Sequence, residues 1–128
     1  MRGYEGNDSL YGGLGNDVLT GGANNDFFVF NTALNSTTNR DKITDFNHAA
    51  DTIMLENAVF TKLGRAGAMD PHFFHVGTKA ADANDYIVYN HSNGFLMYDA
   101  DANGSGGAIV FAALNGTPTI GANDFVIF

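Results

Sequence analysis

Residues 3–11 read GYEGNDSLY, residues 12–20 GGLGNDVLT and residues 21–29 GGANNDFFV. The three stretches are copies of one nine-residue unit. Gly3, Gly12 and Gly21 open them, and Asp8, Asp17 and Asp26 hold the sixth position, each preceded by Asn. Leu10, Leu19 and Phe28 hold the eighth. The first six residues of the unit are turn formers, in which Gly supplies positive φ and Asn tolerates it. The last three can make only a very short strand with a single inward side chain, at position eight. Such a strand buries too little to stand alone. Parallel stacking of copies joins the inward residues into one apolar row. It also stacks turn over turn and brings their carboxylates together, an arrangement that needs a cation between them.

Outside the repeats the texture changes. Residues 31–40 (NTALNSTTNR) are polar and non-periodic and read as a loop. DKITDF, DTIMLE and AVFTKL then alternate or run apolar, and GRAGAMDP at 64–71 reads as a loop with room for one helical turn. FFHV, YIVY, FLMY, AIVF and FVIF follow, each bounded by Gly, Asn, Asp or Ser, and HSNG at 91–94 has the chemistry of a hairpin turn. No segment carries a long amphipathic helical pattern. The expected fold is all-β, a single domain over 1–128. A short parallel β-roll (β-helix) at 3–29 is expected to continue into an antiparallel, sandwich-like β region at 30–128.

Composition narrows the function. Fourteen acids, twelve of them Asp, stand against six Lys+Arg, for a net charge of −8. That balance disfavours phosphate-backbone binding and anionic membrane surfaces, so neither nucleic acid nor a membrane is an expected partner. There is no Cys to staple so small a chain, which leaves a metal ion as a ready substitute. The segment Met1–Glu5 has no apolar core of a cleaved signal peptide.

The nonapeptide resembles the RTX repeat G-G-x-G-x-D-x-U-x, a calcium-binding β-helix unit. NDFFVFN (25–31), DKITDFNHAADTIML (41–55), the stretch 81–116 and the closing NDFVIF (123–128) resemble the C-terminal domains of serralysin-type secreted proteins. The resemblance implies a Ca²⁺ ion between the loops 3–8 and 21–26. Asp8 and Asp26 would give side-chain oxygens, and Gly3, Glu5, Gly22 and Asn24 main-chain carbonyls. Gly12, Leu14 and Asp17 would serve the opposite edge, with Asp45 expected to help close it. Asn24 replaces the usual Gly and Tyr4 the second Gly of its unit. The resemblance further implies export through a type I secretion channel, with Asp124, Phe125, Val126, Ile127 and Phe128 as an uncleaved signal, and an extracellular location. Because residue 1 falls inside a repeat, an upstream cargo domain is expected, and the uncapped first coil could also pair with a second copy.

Other features carry less. DADANGS at 99–105 has the opening of an EF-hand loop, with Asp99, Asp101 and Asn103 placed around Ca²⁺. Val110 stands where that motif needs Glu, so a polar hairpin loop and a bound ion both stay open. His72 and His75 have a zinc-compatible spacing but no third ligand nearby. Asp82 and Asp85 sit in an Asn/Ala-rich loop unsuited to hydrolysis, and no nucleophile motif is present. The alternative to an export module is a Ca²⁺-dependent carbohydrate-binding module, with Tyr86, Tyr89 and Tyr98 as stacking faces.

Overall fold

A computed structural model describes residues 6–32, 40–77, 85–100 and 108–128. The eighth-position residues of the repeats do what their spacing predicts. Leu10, Leu19 and Phe28 are buried, each at the inner face of a strand: β1 (Ser9–Tyr11), β2 (Val18–Leu19) and β3 (Phe27–Phe30). β4 (Asp41–Ile43) and β5 (Thr52–Leu55) repeat the pattern with Ile43 and Ile53. β1, β3 and β5 pair in parallel in one sheet, whereas β2 and β4 pair in parallel in another. From β1 to β5 the chain therefore crosses from sheet to sheet with each strand. The register aligns Leu10 with Phe28, Phe28 with Ile53, and Leu19 with Ile43.

The remaining strands extend both sheets. They are β6 (Gly67–Ala68), β7 (Phe74–Val76), β8 (Ile87–Asn90), β9 (Phe95–Tyr98), β10 (Ile109–Leu114) and β11 (Phe125–Ile127). The five-stranded sheet has the order β1-β3-β5-β11-β6, and the six-stranded sheet β2-β4-β10-β9-β8-β7. The C-terminal region is thus mixed, where the sequence pattern predicts an antiparallel arrangement. β10 adds to β4 and β11 to β5 in parallel, and β7 pairs with β8 in parallel. Only β8-β9, β9-β10 and β6-β11 are antiparallel pairs among the described residues. The reason is that β10 and β11 inherit the direction of the repeat strands on which they dock.

AVFTKL is not a strand either. The N–H groups of Val59 and Phe60 both donate to the Glu56 carbonyl, and a 3₁₀ turn covers Thr61–Leu63. Phe60 and Leu63, three residues apart, are the buried pair, which is the spacing of a 3₁₀ turn. One apolar cluster joins both sheets, with Phe30 edge-on to Phe111 at 5.2 Å and Phe74 against Phe125 at 5.5 Å. Each such side chain contributes about 1.5–3 kcal/mol on burial.

Candidate metal centre

The alternation between sheets sends the connecting loops to two edges. One edge carries residues 20–26 and 44–51 beneath Asp8; the other carries 12–17 beneath Asp41. On both, the Asp of one coil clamps the Asp of the next. The Asp8 N–H donates to Asp26 Oδ1 at 2.9 Å, and the Asp26 N–H donates to Asp51 Oδ1 at 3.0 Å. Opposite, the Asp17 N–H donates to Asp41 Oδ1 at 2.9 Å. The preceding Asn residues add the reverse link, with the Asn25 N–H donating to Asn7 Oδ1 and the Arg40 N–H to Asn16 Oδ1. The Asp carbonyls then start the strands, since Phe27, Thr52 and Lys42 donate to Asp8, Asp26 and Asp17.

These clamps use Oδ1 of Asp26, Asp51 and Asp41. Oδ2 of Asp8, Asp17 and Asp26 is buried and has no hydrogen-bond partner. A buried acceptor left without a donor costs about 1–3 kcal/mol, more when charged, and its presence in three successive repeats at the same atom calls for a cation. The backbone is kept bare beside these atoms. A Cβ on Gly12 would stand 2.6 Å from Asp41 Oδ2 and 3.2 Å from Asp17 Oδ2, and one on Gly21 would stand 2.5 Å from Asp26 Oδ2. The opening glycine of the unit is therefore required by close approach of carboxylate to main chain. The fourth position instead needs a left-handed backbone. Gly6 and Gly15 have φ of 91° and 101°, and Asn24 takes the same conformation at 74°.

Charge accumulates with burial. Burial pushes the Asp41 carboxyl up to about 6, aided by the charge of Asp17 and opposed by the Asp17 N–H. Asp51 is also raised, first by burial and then by Asp26 and Asp45, against hydrogen bonds from Asn47 and Asp26. Among the described residues no three His, Asp or Glu side chains converge as a ready ligand set. A cation here would be held by paired carboxylates with main-chain carbonyls supplying the rest, the oxygen set that Ca²⁺ prefers.

The other expected site residues fall as follows. Leu14 is 73 % exposed and can offer only its main chain. The Gly21 and Gly22 N–H groups donate to the two oxygens of Asp45 at 2.9 and 2.7 Å. Asp45 thus lies on the edge of Asp26 and Asp51 and does not close that of Asp17, because its loop follows β4 and leads into β5. Asp41 is the carboxylate that closes the Asp17 edge. Asp99 is buried beyond β9, where its N–H donates to the Tyr86 carbonyl. Gly3, Glu5, Asp101 and Asn103 lie outside the described residues, as do Tyr4 and Asp82. Asp41 and Asp51 were not singled out from sequence. Their signal was the recurrence of Asp, any residue, apolar: Asp8-Ser9-Leu10, Asp17-Val18-Leu19 and Asp26-Phe27-Phe28 return as Asp41-Lys42-Ile43 and Asp51-Thr52-Ile53.

Stacked acidic turns with orphaned carboxylate oxygens define a calcium-binding repeat module. Residues 1–30 match the family model of the RTX calcium-binding nonapeptide repeat (4 copies). The chain carries RTX repeats, and the ion these repeats bind is Ca²⁺. Among curated proteins, none matches the sequence.

Proposed function

We propose that the chain is a module whose folding is driven by Ca²⁺ outside the cell and whose last strand serves as a type I secretion signal for an upstream cargo domain. The observation that carries this is the unpartnered Oδ2 atom on Asp8, Asp17 and Asp26. Without a cation the stacked carboxylates oppose the coil, so the chain stays loose where calcium is scarce. With millimolar calcium and sites of the extracellular class, Kd roughly 10⁻⁴–10⁻³ M, each ion at ten times Kd adds about 1.4 kcal/mol. Bound Ca²⁺ supplies positive charge between the turns; the chain's own residues orient the carboxylates and exclude water from beneath them.

The parallel alternating strands support reading 3–29 as a β-roll that runs through β4 and β5 within one domain. β1 and β2 are the outer strands of their sheets among the described residues. These outer edges are where a further coil from an upstream region, or a second copy, would add. Asp124–Phe128 would be read as an export signal before folding, since Phe125 and Ile127 are buried afterwards. Circular dichroism and melting in EDTA and in excess Ca²⁺ test the proposal. A large calcium-dependent gain in β structure is expected, and superimposable spectra and melting curves would falsify it.

A further inference from the structure

The second sheet presents a groove on its outer face that the calcium edges do not use. The register sets Lys42 of β4 beside Ala113 of β10, and Ala113 beside Phe95 of β9. The small Ala113 lies between two long side chains and leaves a trough across three strands. The loops at 92–93 and 115–117 close its end, and the cavity measures about 380 Å³. This is the size range of small-molecule sites.

The groove is charged and preformed. Lys42 lines it, and the Arg40 guanidinium stands 5.1 Å from the centre of the Phe95 ring. These are two of only six Lys+Arg in a chain of net charge −8. Among the described residues, neither forms an ion pair with an acid. The walls are fixed by hydrogen bonds. The Asn115 N–H donates to the Ile43 carbonyl, the Phe95 N–H to Asn93 Oδ1, and the Tyr89 hydroxyl to the Pro118 carbonyl at 2.6 Å. Thr117 holds a φ of 46°, a strained conformation for a β-branched residue. Such strain persists where the surroundings impose it and gathers at ligand sites.

A cation pair, an aromatic wall, a methyl-sized floor and amide and hydroxyl groups at the rim match one ligand chemistry. We propose that the groove binds a single acidic sugar residue, a uronate, through its carboxylate at Lys42 and Arg40, the latter held by its stacking on Phe95, and its ring over Ala113. The −8 charge of the rest of the chain repels a polyuronate, so the preferred ligand is a free uronate or one at the end of a neutral glycan. The tyrosines expected to offer stacking faces do not. Tyr89 and Tyr98 are buried with their hydroxyls bonded, and Tyr86 packs edge-on against Phe73.

The test is a chemical-shift titration of the calcium-saturated full chain with glucuronate, glucose and acetate, each at millimolar concentration. Saturable shifts at Lys42, Phe95 and Asn115 with glucuronate alone are expected. Lys42→Glu and Arg40→Gln, both at exposed positions, should each weaken binding about tenfold or more in a chain that still melts cooperatively in saturating calcium. Equal shifts with glucose would show the cations idle, equal shifts with acetate would show the ring unread, and either overturns the proposal. So does the absence of shifts, or glucuronate binding that survives Lys42→Glu. Because folding is followed separately by melting, these outcomes are distinct from failure of the calcium reading.

Discussion

At Gly21 one methyl group is enough to probe the packing of carboxylate against main chain. Its Cβ would meet Asp26 Oδ2 at 2.5 Å and the Phe28 ring at 3.0 Å, and neither neighbour is the free end of a surface side chain. Gly21→Ala should therefore cost about 1–3 kcal/mol, the range for overpacking, and lower the melting temperature in calcium by several degrees. A melting curve matching the parent would mean that Asp26 has room to turn away. Asp26→Asn asks the complementary question. It keeps an oxygen to accept the Asp8 N–H and removes only the charge. Calcium affinity by titration calorimetry should fall about tenfold or more, while stability in EDTA holds or rises because repulsion with Asp51 is relieved. Unchanged affinity would remove Asp26 from the ligand set.

Among the elements, β11 carries the most weight for its length. Its register sets Phe125 beside Ile53 and Ile127 beside Leu55, and the chain end is tied in by the Phe128 N–H to Leu55 and the Asn57 N–H to Phe128. Phe125→Ala removes a fully buried ring that packs on Phe74, so urea unfolding in calcium should show a loss of about 3–5 kcal/mol. Val126→Ser, half-buried on the opposite face of the same strand, should cost far less. Equal losses would mean the strand is not seated as the register implies. The strand itself was legible in the sequence, as were β3, β4, β5 and β7 to β10, because each is a short apolar run between turn formers. Its partner and direction were not. Parallel docking of β11 on β5 joins residues about seventy positions apart, and period-two patterning is the same whichever way a strand runs. AVFTKL was misread for a related reason: Phe60 and Leu63 are both apolar, and in so short a run their three-residue spacing gives little sign of a turn. At the metal edges the nine-residue period exposed Asp8, Asp17 and Asp26. Asp41 and Asp51 were hidden because the spacing from one coil to the next lengthens from 18 residues to 24 and 25 after the repeats end.

For the molecule as a whole, the buried acids couple folding to both calcium and protons. The Asp41 carboxyl, ordinarily at 3.8, is raised to about 6 in the fold, and Asp51 is raised as well. A raised carboxyl means that the folded chain holds its proton more tightly than the unfolded chain, so stability falls as pH rises between the two values. For Asp41 the stabilisation is full below about 3.8, is lost as pH climbs through about 6, and is absent at neutrality. In EDTA the β structure read by circular dichroism should therefore increase when pH is lowered from 7 towards 5. Calcium reverses the sign, because it binds the ionised carboxylates and protons compete with it. In saturating calcium the midpoint of urea unfolding should be highest near neutrality and should fall in acid, where protons displace the ion. A circular-dichroism series in EDTA and a urea series in calcium, each across pH, read this crossing directly. If the two pH profiles run parallel, the carboxylates that titrate are not those the ion engages, and Asp41 and Asp51 leave the candidate site.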